Sequence, residues 1–122
     1  MARMTGGEAL AKQLAIEGVK VIFGVPGVQL YGALAGLRDE GKSRFITTRH
    51  EQSTSYMADG YARASGGIGV ALVVPGPGLY NASAGLSTAY SASSPVLMIC
   101  GHVPRAQIGK DMVSGTDLYL DE

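Results

Sequence analysis

The sequence predicts an α/β fold: a three-layer, doubly wound parallel sheet. Three observations carry that prediction. Segments with apolar residues at helical spacing alternate with short β-branched runs. One run, residues 69–74, is apolar throughout, as a strand covered on both faces must be. Turns rich in glycine and proline follow the strands. Alternation of this kind builds a parallel sheet with right-handed crossovers.

The elements follow in order. Thr5-Gly6-Gly7-Glu8 reads as a capping box opening a helix to about Glu17, with Leu10 and Leu14 on one face and Gly18 at its stop. Lys20 to Phe23 is a strand, and Gly24-Val25-Pro26-Gly27 a turn. Leu30, Leu34 and Leu37 mark a second helix, ended by Gly41. Arg44 to Thr48 is the second strand. A third helix starts after Arg49-His50-Glu51 and runs to about Ala64, with Met57, Tyr61 and Ala64 at helical spacing. Gly69 to Val74 is the third strand, Pro75-Gly76-Pro77-Gly78 a turn, Leu79 to about Ser93 a fourth helix, and Pro95 to Cys100 a fourth strand. Beyond His102 the pattern weakens to loop, with room for a short helix.

Size and composition exclude several classes of function. The 122 residues make one domain, and 46% hydrophobic content is too high for disorder. The 18 glycines, roughly twice the average share, therefore mark turns and close backbone approaches. Ten basic residues balance ten acidic ones, without the excess a nucleic-acid surface shows. No apolar stretch reaches the roughly 20 residues of a membrane span, and no signal core stands at the start. The expectation is a soluble, cytoplasmic protein. Cys100 is the single cysteine; its apolar surroundings predict a buried, inert thiol.

In an open α/β sheet, ligands bind beyond the carboxyl ends of the strands. Three motifs fall there: Gly24 to Gly27, His50-Glu51-Gln52, and Pro75-Gly76-Pro77-Gly78 with Asn81. Each has an ordinary reading beside a functional one. The glycine-proline motifs could be turns and nothing more. Glu51 opens a helix, where the dipole favours a negative side chain by about 0.3–1 kcal/mol. His50 suits a structural hydrogen bond as well as a base. The Gly76 to Asn81 stretch is no dinucleotide fingerprint, because Asn81 stands where the last glycine belongs. No P-loop lysine follows it, and two histidines are too few for a zinc site.

Read together, the motifs resemble a family. Thr5-Gly6-Gly7-Glu8, Val21 to Gly27, His50-Glu51-Gln52, Met57 to Arg63 (Met-Ala-Asp-Gly-Tyr-Ala-Arg), Gly76 to Asn81, Ala89-Tyr90, Ser94-Pro95-Val96 and Gly101 occur in one order. That order resembles the N-terminal, pyrimidine-binding domain of thiamine diphosphate-dependent enzymes of the acetolactate synthase and pyruvate decarboxylase group. The likeness extends from Thr5 to about Lys110. It implies that Glu51 hydrogen-bonds N1′ of the cofactor aminopyrimidine and promotes ylid formation at C2 for attack on a 2-keto acid. It implies that Val25, Pro26 and Gly27 pack near the pyrimidine, with Pro75, Gly76, Gly78 and Asn81 beside it. Asp59 and Arg63 match family positions too, and a helix-surface or helix-anchoring role, rather than catalysis, is expected of them.

The resemblance also implies parts that this sequence lacks. In the family a second domain binds the diphosphate through Mg²⁺, using a Gly-Asp-Gly motif that is absent here. The expectation is a partial domain of a homodimeric or homotetrameric enzyme, inactive alone; FAD is possible in the parent but unsupported by these residues. Val28 and the lack of a His-His pair near residues 109–117 set the chain apart from pyruvate decarboxylases. Gly101 to Lys110 looks closer to acetolactate synthases, although Met112-Val113-Ser114-Gly115 does not match the Phe-Gln pattern expected of a true acetolactate synthase. The alternative is a standalone assembly or regulatory domain of the same fold, without catalysis.

Overall fold

The computed structural model describes residues 3–108. Helix α1 (Gly6–Ile16) leads into strand β1 (Val21–Gly24). A 3-10 turn (Val28–Leu30) precedes α2 (Tyr31–Glu40), followed by β2 (Arg44–Thr47), α3 (Glu51–Ser65), β3 (Gly69–Val73), α4 (Pro77–Ser91) and β4 (Val96–Cys100), with a 3-10 turn at Arg105–Gln107. The four strands form one parallel sheet in the order β2-β1-β3-β4. Ile22 aligns with Phe45 on one side and Val70 on the other, and Gly69 aligns with Val96. Met112 to Gly115, and Lys110, lie outside the described residues.

The local signals explain most boundaries. The Thr5 hydroxyl accepts from the Glu8 N–H, while the Thr5 N–H donates to the Glu8 carboxylate at 2.6 Å, closing the capping box. Gly41 and Gly66 end α2 and α3 in the left-handed conformation. Pro77 sits in the first turn of α4, where a missing N–H costs nothing, so this helix starts two residues before Leu79.

Two apolar cores sandwich the sheet. On one face Ala11, Leu14 and Leu37 from α1 and α2, with Leu30, pack on Ile22, Val70 and Leu72. On the other Ala58 of α3 packs on Phe23 and Ala71, flanked by Tyr61, Val96 and Met98. Strand β3 is buried at all five positions, as its uniform apolar sequence predicts. Helices on both faces of a parallel sheet give the doubly wound, three-layer α/β fold.

Two expectations fail. Of the Met57, Tyr61, Ala64 row, Tyr61 alone packs on the core, and the fully buried face of α3 is a different one. Its buried residues are Thr54, Ser55, Ala58, Asp59 and Ala62, while Met57 is 41% exposed and Ala64 is exposed. Small residues face inward because α3 lies very close to α4: a Cβ on Gly85 would fall 2.7 Å from the Tyr56 backbone nitrogen. Helices α1 and α2 use the same device, where a Cβ on Gly36 would fall 2.3 Å from the Gly7 carbonyl oxygen.

Cys100 is the second correction. Its side chain reaches the surface, and β4 is an edge strand among the described residues. Partial burial nevertheless pushes its thiol pKa up, and the Sγ–H donates to the Gly101 carbonyl at 3.2 Å. The thiol is thus exposed, with a pKa raised by partial burial, and the expected burial does not hold.

Candidate cofactor site

Strands β1 and β3 are neighbours whose connections leave in opposite directions. The β1 loop runs to α2 on one face, and the β3 loop runs to α4 on the other. Their carboxyl ends therefore define the topological switch point of the sheet, where open α/β folds place ligands.

Glu51 reaches this edge on the first residue of α3. The corner before it is pinned from within. Buried Thr48 and Thr54 share a hydroxyl hydrogen bond, and Thr48 Oγ1 also donates to the His50 carbonyl at 3.2 Å. His50 is the N-cap: its Nδ1 accepts from the Gln52 N–H at 3.2 Å, which makes it a structural residue. Glu51 itself is half-buried.

The third motif meets Glu51 from α4. Asn81 Nδ2 donates to Glu51 Oε2 at 3.1 Å, across 30 residues of sequence. Among the described residues, no group donates to Oε1. Gly78 faces the same carboxylate, and a Cβ there would lie 3.6 Å from Oε1. Gly76, at φ 64°, makes the turn that lets α4 begin here.

The first motif joins through Val74. A Cβ on Gly27 would fall 2.3 Å from Val74 Cγ1, and one on Gly78 would fall 2.6 Å from Val74 Cγ2. Val74 is thus the common wedge between the two turns; nothing in its sequence setting singles it out. Pro75 and Gly76 are buried in the turn beyond it. Val25 is half-buried, whereas Pro26 lines a separate hollow of about 390 Å³ with Leu34, Leu37, Phe45 and Thr47. The structure therefore brings Glu51, Gly78, Asn81, Val74 and Gly27 together in one contact series. It turns Pro26 elsewhere.

Asp59 and Arg63 stand apart from this cluster. Arg63 donates two hydrogen bonds to the Asp59 carboxylate, at 2.8 and 2.9 Å, one turn along α3. Those bonds hold the Asp59 pKa below the ordinary carboxylate value. Ser94 lowers it further from nearby, although its buried Oγ falls short of hydrogen-bond geometry. The pair is an i,i+4 ion pair within α3, with Arg63 at the helix surface. No group of three or more His, Cys, Asp or Glu side chains among the described residues could hold a metal ion. No helix among them is long and apolar enough to cross a membrane.

A family model described as "Thiamine pyrophosphate enzyme, N-terminal TPP binding domain" matches residues 4–120. The chain belongs to this family. Curated relatives agree with that membership. A probable acetolactate synthase large subunit from Methanocaldococcus jannaschii is 46% identical over 93% of the chain, which covers 19% of that protein. Acetolactate synthase isozyme 3 large subunit from Escherichia coli is 39% identical over 97% of the chain and 21% of its own length. A probable 2-ketoarginine decarboxylase from Pseudomonas aeruginosa is 44% identical over 88% of the chain and 19% of its own length. The chain thus spans about a fifth of the length of the relatives it matches. The thiamine pyrophosphate family match encloses all three edge motifs.

Proposed function

We propose that this chain is the cofactor-activating domain of a thiamine diphosphate-dependent enzyme that decarboxylates or ligates 2-keto acids in the manner of acetolactate synthase. One observation carries the reading: Glu51 stands at the ligand edge with one carboxyl oxygen anchored and the other without a partner. The surrounding residues fit the cofactor's flat aminopyrimidine. Gly78 leaves open a space beside Oε1 that a side chain would fill, and Gly27 keeps the opposing turn low.

Thiamine diphosphate, when bound, supplies the electron sink for 2-keto acid chemistry. The protein's part is a hydrogen bond and a geometry. Glu51 shares a proton through Oε1 with N1′ of the pyrimidine. Val25, Gly27, Pro75 and Gly76 would wall the ring, and Asn81 would hold the carboxyl. The diphosphate and Mg²⁺ belong to a second domain, contributed by a neighbouring subunit of a homodimer or homotetramer. The isolated chain accordingly binds the cofactor weakly and turns nothing over.

The test is Glu51→Gln in the full-length enzyme carrying this domain. Amide replaces carboxyl at nearly equal size, so the circular dichroism spectrum stays unchanged. Turnover falls by at least about 100-fold, the low end of what a positioned proton-transfer group contributes. Turnover near that of the wild type overturns the role of Glu51.

A further inference from the structure

We infer that Asn81 is a positioning residue that works through Glu51: it fixes Oε2 so that Oε1 alone is presented to the cofactor. The inference rests on the reading of Glu51 given above and adds a division of labour between the two carboxyl oxygens.

Three features on the two helices carry it. The Asn81 amide donates to Oε2 at 3.1 Å, and Oε1 has no donor among the described residues. The side of the carboxylate that carries Oε1 faces Gly78, three residues before Asn81 on the same helix. One turn of α4 therefore supplies both the anchor for one oxygen and the clearance for the other. The anchor bridges α3 and α4, whose backbones are locked together at Gly85 and Tyr56. Its position is set by helix packing rather than by a mobile loop.

The choice of an amide has a chemical consequence. Asn81 donates a hydrogen bond without bringing a positive charge. A lysine or arginine at that position would bind the carboxylate as an ion pair and compete for its negative charge. A neutral donor holds the side chain in one orientation and leaves the proton on the free oxygen able to move. Glutamate otherwise distributes over several rotamers, and only some of them face Oε1 outward.

The test has two arms. On the chain itself, NMR couplings of the Glu51 γ-methylene report one dominant rotamer in the wild type and averaged values in Asn81→Ala. Averaging already present in the wild type overturns the inference. On the full-length holoenzyme, deuterium exchange at the cofactor C2–H is followed by quenched-flow NMR. Asn81→Ala slows exchange by about 10- to 100-fold, the range for losing a hydrogen bond to a charged group, while KM for the keto acid changes little. Asn81→Asp has the same size, removes the donor and sets a like charge against Glu51; it slows exchange at least as much. This second variant keeps the test decisive if the alanine variant folds poorly.

Failure of the two readings is distinguishable. Exchange within twofold of wild type in both Asn81 variants, with Glu51→Gln inactive, overturns the role of Asn81 alone. Normal exchange in Glu51→Gln overturns the underlying reading as well.

Discussion

Replacing Gly85 by alanine inserts one methyl group into the contact between α3 and α4. The new Cβ would fall 2.3 Å from Ser55 Oγ and 2.7 Å from the Tyr56 backbone nitrogen. Neither obstacle yields readily. Ser55 is fully buried, and its hydroxyl donates to the Gln52 carbonyl at 3.0 Å. The Tyr56 nitrogen is part of the α3 backbone. Relaxing the second contact from 2.7 to 3.4 Å requires the helices to part by roughly 0.7 Å. Overpacking of this kind costs about 1–3 kcal/mol, and a backbone obstacle puts it at the upper end. Alanine returns about 1 kcal/mol of helix propensity, so the net loss is about 2 kcal/mol. Gly60 is the control. It also lies inside a helix, at negative φ, but a Cβ there meets nothing within 4 Å. Gly60→Ala should stabilise the chain by up to about 1 kcal/mol. The same chemical change thus has opposite signs at two sites. Urea unfolding of both variants, with m-values compared to confirm a common denatured state, reads the difference directly. Gly85→Ala as stable as Gly60→Ala would refute the claim that glycine here serves close helix contact.

Two further predictions concern the frame around the site. Thr5→Ala removes one half of the capping box of α1 and should cost about 1 kcal/mol in urea unfolding. Asp59 has a folded-state pKa below the ordinary aspartate value of 3.8, chiefly through the Arg63 hydrogen bonds. The unfolded chain then binds the proton more readily, so this stabilisation is present above pH 3.8 and is lost as pH falls through the folded pKa. Thermal melts between pH 7 and pH 3 should show a shallower acid loss for Asp59→Asn than for wild type, alongside a lower melting temperature at pH 7.

Much of this fold is legible in the sequence, for reasons that differ by element. Strand β3 is readable because burial on both faces demands an unbroken apolar run. Helix α1 is readable because its capping box is local chemistry. The inner face of α3 is misread because large apolar side chains normally mark a core face, whereas here Thr54, Ser55, Ala58 and Ala62 mark it together with Asp59, and Tyr56 and Met57 are exposed. The exposure of Cys100 escapes because an edge strand and an internal strand have the same apolar composition; only the strand order separates them. At the site, the three motifs are readable as residents of one edge. The role of Val74 between two turns and the bond from Asn81 to Glu51 depend on ångström-scale packing that no spacing encodes.

The topology explains how distant motifs become one site. In a parallel sheet every strand-to-helix loop emerges at the same edge, so successive motifs collect there in strand order rather than chain order. Strand β3 inserts beside β1, which places the third motif against the first. Helices α3 and α4 then lie side by side on one face, which places the third motif against the second as well. The β3–α4 turn is therefore the centre of the arrangement: Val74 lies against Gly27 of the first turn and Gly78 of its own, and Gly78 and Asn81 face Glu51. A side chain added at Gly27 or Gly78 would push on Val74, and the displacement would pass to the turn that carries Asn81. The glycines of this site matter less for turning the chain than for letting three separate βα units share one small volume.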